Sequence, residues 1–395
     1  MYYPHEQTAD MVPDVIGVWN RNRGNVLSRV GSRALTVATL TMAASLLVTG
    51  PNALANPNAV NPIAGLNGTF GLPQLHGRAQ AVAQVTGMSS PNNTQNVNMI
   101  GTDLGIMWDN GRGEVLTAFG DTAGLGIPNL LQGSLWSWRS NAIIRSADRN
   151  LADGMNFDSI VRDPLGQTKE VVPSPKIPFV EISRIPTAGV AVGDTQYLNL
   201  MSVKNWGPAG TWETNFSGLA VSNDNGENWA PLPETQRPSV GGDRNFQQSA
   251  YLKDGGYLYQ YGTPPGRFNL GHVARVKEQD IAKLGEYEYW TGQDWKKGDP
   301  AAAAPIVGGV GELSVAYNAT LGQYLMMTTD NANSIVLRRS PSPVGPWSPP
   351  EVLVDTREVS SIYAPYIHPF STGRDLYFLA TVYQNYNVLL LRATL

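Results

Sequence analysis

The chain contains no cysteine among its 395 residues. Thiol catalysis, disulfide staples, zinc–thiolate sites and iron–sulfur clusters are therefore excluded. Histidine is almost as scarce, at four residues. No pair of them has metal-ligand spacing, and H-E-x-x-H, G-x-S-x-G and Walker patterns are absent. Neither a metal nor a cofactor is expected. Charge is sparse as well: 15% of residues are charged, the formal net charge is −4, and there is no basic run. That lacks the electrostatic footprint of a nucleic-acid binder. Strong helical patterns are missing beyond residue 76, the best candidate being the short stretch 278–286. What the chain does hold is Gly (41), Pro (28), Tyr (16) and Trp (10). This composition favours short strands joined by tight turns. A hydrophobic fraction of 42% is too high for a disordered chain.

The N-terminus has its own grammar. Residues 34–50 carry no charge and follow Arg21, Arg23, Arg29 and Arg33. Ala53-Leu-Ala55 then supplies a small-residue cleavage site. Positive, apolar and small-residue regions in that order form a secretory signal. Seventeen uncharged residues with four Thr are short for a bilayer span of about 20 apolar residues. Cleavage after Ala55, export to the medium or the cell envelope, and no stable membrane insertion are expected. Residues 56–79 read as a Pro/Asn-rich linker, and residues 80–395 as the folded domain.

Within that domain, stretches such as 257–261, 323–327 and 376–380 read as strands between Gly, Asn and Asp turns. Ser222-Asn-Asp224-Asn-Gly226-Glu-Asn-Trp229 is an Asp-box, S-x-D-x-G-x-x-W. Degenerate copies begin near residues 146, 275 and 340. Four repeats and a C-terminal hairpin closed by an early strand make five blades. The expected fold is an all-β, five-bladed β-propeller with Asp-box-like repeats, because radial closure removes exposed sheet edges. A β-sandwich with decorative Asp-boxes is the alternative. A monomer is expected.

Chemistry concentrates between Gly101 and Thr122, which reads strand, Asp-Asn-Gly turn, strand. A turn centred on Arg112 pairs Asp109 with Val115 and sets Asp103 opposite Asp121. Opposed residues share a face at about 5 Å between Cβ atoms. Two carboxyls there cannot both ionise cheaply, and an acid with a base in one cleft is what glycoside hydrolysis uses. Slipping the register by one residue would oppose Gly120 to Asp103 and turn the carboxyls to opposite faces. Asp121 capping a turn and Asp103 tying blades is the plainer alternative. Glu312 follows a glycine-rich run and opens an apolar strand. It is a candidate third acid or sugar-binding group, or a solvated strand end. Tyr366 and His368 lie in Tyr363-Ala-Pro-Tyr-Ile-His-Pro, at a strand expected near the axis. Trp138 and Trp206 are candidates for stacking on sugars, with packing between blades as the alternative.

These stretches also carry a resemblance. Gly101-Thr-Asp103-Leu-Gly105, with Phe119-Gly-Asp121-Thr122 beyond the turn, resembles the opening of an actinobacterial propeller family whose characterised members are endo-D-arabinanases. Arg139-Ser-Asn141, Ile185-Pro-Thr, Trp206 to Trp212, the 222–229 Asp-box, Gly311-Glu-Leu-Ser314 and Tyr363 to Pro369 fit as well. The resemblance covers roughly residues 80–395. It implies a five-bladed propeller, catalytic aspartates at Asp103 and Asp121, and the D-arabinan of arabinogalactan or lipoarabinomannan as the polysaccharide partner. Glu312 and His368 are weaker carry-overs, and Arg139 and Asn141 join Trp138, Trp206 and Tyr366 as substrate-binding candidates. Two rival functions remain open. Arg184-Ile-Pro186 is the R-I-P tripeptide of sialidases, and a propeller that binds envelope carbohydrate without cutting it would share most of these features.

Overall fold

The computed structural model describes residues 71–126 and 137–395. The expected signal segment and the linker up to residue 70 lie outside the described residues. Five antiparallel sheets are arranged as blades. Blade 1 is built from Gly101–Asp109, Val115–Gly124, Ala142–Ser146 and Ser159–Ile160, with Ser137–Arg139 paired alongside. Blade 2 contains Ser183–Val192, Thr195–Trp206, Trp212–Ser222 and Ala230–Pro231. Blade 3 runs from Gln248–Asp254 through Tyr257–Thr263 and Asn269–Lys277 to the outer hairpin Glu288–Trp290 and Trp295–Lys297. Blade 4 holds Leu313–Asn318, Gln323–Thr329, Ile335–Ser340 and Glu351–Val354. In blade 5, Ile362–Ile367, Asp375–Val382 and Asn387–Thr394 are completed by the early strand Ala79–Gln84. Ala79 opposes Ala393 and Gln84 opposes Leu389, so the two ends of the domain close the ring.

The first strand of each blade packs against the first strands of both neighbours. That cyclic contact makes the molecule a five-bladed propeller and excludes the two-sheet sandwich. It also explains why the central strands show little alternation of apolar and polar residues. A sheet packed between two neighbours is covered on both faces, and all ten residues of Val115–Gly124 are buried.

The repeats near 146, 222, 275 and 340 all fall in the third strand of a blade. In the 222–229 turn, Ser222 Oγ donates to Asp224 Oδ1 (2.8 Å), and the Asn228 amide donates to the same oxygen (2.9 Å). Gly226, at φ +86°, donates its amide to Ser222 Oγ. Trp229 then packs edge-on against Trp108 of blade 1, 6.4 Å between ring centres. The Asp-box thus closes a hairpin and cements neighbouring blades.

Two local expectations are revised. Residues 278–286 form two separate 3-10 turns, Glu278–Asp280 and Leu284–Glu286, and no continuous helix. Leu72 and Leu75, in the stretch read as a linker, pack against the core shared by blades 4 and 5. Among the described residues, no helix is long and apolar enough to cross a membrane.

Candidate active site

Asp103 and Asp121 lie on the first two strands of blade 1. Asp109 pairs with Val115 and Thr102 with Thr122, as the turn at Arg112 requires. The ladder between them is not regular. Leu104 opposes Phe119 and Ile106 opposes Ala118, so irregularities flank Leu104 and Gly105. Both residues have positive φ, +65° and +115°. For a residue as bulky as Leu this is strained backbone. The Leu104 amide has left the ladder to donate to Thr381 Oγ1 of blade 5, at 2.8 Å. Asp103 consequently faces both Gly120 and Asp121, and neither of the two simple registers describes the site. Its carboxyl lies directly over Gly120, where any Cβ would overlap Asp103 Oδ1.

The two carboxyls sit in unlike surroundings. Asp103 Oδ2 accepts from Tyr363 Oη at 3.0 Å, while its Oδ1 is enclosed without a hydrogen-bond partner. Burial drives the Asp103 pKa well above the carboxylate range, and the Asp121 and Glu312 charges add to this. The Tyr363 and Tyr386 hydroxyls oppose the rise. Asp121 is also buried, and burial pushes its pKa up to about 7. It is steadied by Ser183 Oγ, which donates to Oδ1 at 2.5 Å. The Trp138 indole N–H exerts a smaller effect of the same sign without a hydrogen bond of standard geometry. Asp103 thus has more reason to keep a proton, and Asp121 more reason to ionise. Two neighbouring carboxyls whose environments push their affinities apart can divide acid and base roles.

Behind Asp103 stands a third carboxylate, held by a cation. Arg267, almost fully buried, grips Glu312 with both Nε and Nη2 at 2.8–3.0 Å. Its guanidinium also lies 4.6 Å from the centre of the Tyr363 ring. Such a two-pronged pair has fixed geometry, so Glu312, Arg267 and Tyr363 form one rigid assembly behind the proton on Asp103.

All five blades contribute residues to one open cleft at one end of the propeller axis. Asp103, Asp121, Glu312 and Arg267 give it a charged floor. Ile185, Pro186, Met201, Trp206, Trp212 and Leu313 give it an apolar wall. A few polar groups converging in a largely apolar cavity is the usual form of a small-molecule site. Among the described residues, no cluster of His, Asp and Glu could hold a metal ion.

Residues 89–392 match a family described as a domain of unknown function, DUF4185. The chain belongs to DUF4185. Notoamide biosynthesis cluster protein J of an Aspergillus species is 26% identical over 300 residues, covering 71% of this chain and 79% of that protein. Among solved structures, a hydrolase candidate from Bacteroides ovatus aligns with a TM-score of 0.52 at 14% identity, covering 75% of this chain and 86% of its own. An exo-β-1,3-galactanase from Phanerochaete chrysosporium aligns with a TM-score of 0.50 at 7% identity, covering 82% and 67%. At such identities the likeness is one of fold.

In this DUF4185 cleft the structure assembles Asp103, Asp121, Glu312, Trp206 and Tyr366. Four other candidates are corrected. Trp138 is only 6% exposed and packs on Tyr386 beside Asp121, so it presents no face to a sugar. Arg139 donates to the Asn98 carbonyl and to Gln167, bracing the blade 1 loops. Asn141 is fully buried: its amide donates to the Val172 and Arg184 carbonyls, and its oxygen accepts the Val172 N–H. It ties blade 1 to the first strand of blade 2. His368 follows its strand at the end remote from the cleft, packed on Phe370. Burial and the nearby Arg149 lower its pKa to about 4, which keeps it neutral. The R-I-P arginine, Arg184, pairs with Glu181 at 2.7 Å and does not line the cleft. Arg267 is the sole arginine among the described lining residues, so no sialidase-like arginine triad is present there. Sequence reasoning missed Tyr363, Ser183 and Arg267 as site residues. Tyr363 lay in a quoted motif and Ser183 directly precedes the R-I-P tripeptide, whereas Arg267 carried no local signal.

Proposed function

We propose that this DUF4185 chain is an exported glycoside hydrolase that cuts α-D-arabinofuranosyl linkages inside D-arabinan. The observation that carries the hydrolase part is the buried Asp103–Asp121 pair, with its unequal environments, at the axis of the cleft. The substrate rests on the sequence resemblance described above. In this reading Asp103 keeps its proton and gives it to the departing sugar oxygen. Asp121, ionised and held by Ser183, attacks the anomeric carbon or activates a water that does so. Which of these occurs determines whether configuration is retained or inverted.

The purified protein, incubated with D-arabinan of arabinogalactan, should release a ladder of oligosaccharides early in digestion. Monosaccharide alone would indicate an exo-enzyme, and activity on sialosides but not on arabinan would remove the arabinan reading. Binding without cleavage would make the protein a carbohydrate-binding propeller. Asp103→Asn and Asp121→Asn should each lower kcat by about three orders of magnitude, within or near the 10²–10⁴-fold range of positioned acid–base groups. Full activity in either variant would return that residue to a structural role.

A further inference from the structure

An endo-acting enzyme must hold sugars beyond the bond it cuts, and one side of the cleft mouth is built differently from the rest. The second and third strands of blade 2 end at Trp206 and begin again at Trp212. The two indoles pack edge-to-face, 6.1 Å between centres, and both line the cleft. The intervening turn is internally tied: Gly207 donates its amide to the Thr211 carbonyl, and Thr211 donates to Pro208. It is also clamped to blade 3, where the Arg267 amide donates to the Gly210 carbonyl at 2.8 Å. Arg267 belongs to the charged floor, and its neighbour Phe268 stands outward at the rim, 41% exposed. Phe268 adopts φ +65°, and its ring edge lies against Gly210. A large aromatic forced into left-handed backbone and left half in water is costly on both counts. The result is an aromatic ledge in two parts, Trp206 in the cleft wall and Phe268 against the turn that joins Trp206 to Trp212.

We infer that this ledge is a second sugar subsite, in which Trp206 and Phe268 carry a ring of the polysaccharide one or more units away from the scissile linkage. The inference rests on the hydrolase reading and names the part of the site that grips the chain. The occupant is a neutral carbohydrate chain, because Trp206 and Phe268 offer apolar ring faces rather than charges, and Trp206 lines the same cleft as Asp103 and Asp121. Prior fixing of the ledge reduces the ordering cost of binding.

Affinity electrophoresis in gels containing D-arabinan, xylan or galactan, together with kinetics on arabinan and on the shortest oligosaccharide cleaved, tests this. Phe268→Ala, which lies outside the cleft lining, should weaken retardation by the polymer and raise its KM about three- to tenfold, an effect of the size expected for losing one aromatic contact. Turnover of the shortest substrate should stay within twofold. Phe268→Tyr should restore wild-type retention, and Leu165→Ala, remote and exposed, should change nothing. Equal losses on polymer and shortest substrate, or unchanged retention by the polymer, would overturn the subsite. If the wild-type protein cuts no arabinan, the hydrolase reading fails, while the gel still reads the subsite. A polysaccharide that retards wild type but not Phe268→Ala supports it, and equal retardation, or none in any gel, overturns it.

Discussion

Gly120→Ala is the sharpest probe of how Asp103 is held. Gly120 has ordinary backbone geometry, so the substitution adds one methyl group and little else. That methyl would overlap Asp103 Oδ1 and come within 2.9 Å of Leu104 Cδ1. The strained Leu104 is pinned by Thr381, so the freer element, the Asp103 carboxyl, must swing away. A displacement of about 1 Å is needed to restore van der Waals contact, and a misplacement of that size in a catalytic group costs on the order of 100-fold in rate. The same movement breaks the 3.0 Å bond from Tyr363. The fold should lose only about 1–3 kcal/mol, the usual cost of modest overpacking. Gly189→Ala makes the contrast. Its methyl would run into the rigid Trp108 ring in the core, away from the cleft. It should destabilise the fold more, yet leave turnover per folded molecule near normal. Reducing-end assays on arabinan, normalised to the folded fraction from thermal melts, separate the two effects. A Gly120→Ala enzyme with wild-type kcat would refute the placement of Asp103 in the reaction.

Other outcomes follow from the same groups. Because folding raises the Asp121 pKa from 3.8 to about 7, the stability its protonated form contributes is present below pH 4 and lost as pH rises towards 7. Asp121→Asn should therefore melt roughly 3–8 °C above wild type at pH 8, with the gap closing towards pH 4; a pH-independent gap would contradict this. The kcat/KM of the wild type should climb with pH as Asp121 ionises around pH 7, and a limb near 4 would show that the group is not desolvated in the free enzyme. Glu312→Gln leaves the Arg267 guanidinium buried without its counter-charge, a loss of about 3–5 kcal/mol for a broken buried pair. It should lower the melting temperature markedly, whereas a change of less than a degree would mean that water replaces the pairing.

Much of the architecture is a local property of the chain. Turns such as 222–229 close through hydrogen bonds between residues two to four apart, so their repetition can be read without a structure. The hairpin at Arg112 is of the same kind, and it places Asp103 near Asp121 by spacing alone. What spacing does not specify is how a strand responds to its neighbours in other blades. The irregularity at Leu104 exists because Thr381 takes its amide, and that decides which residues Asp103 faces. Tyr363 reaches Asp103 across 260 residues of chain, Ser183 reaches Asp121 across 62, and Arg267 reaches Glu312 across 45. Asn141 and Arg139 are site candidates by the resemblance of their own stretch, but in the folded chain Arg139 braces the blade 1 loops and Asn141 ties blade 1 to blade 2. Side-chain chemistry and turn spacing are written along the chain. The burial that raises the carboxyl pKa values, and the partners that set them apart, exist only once five blades have met at one axis.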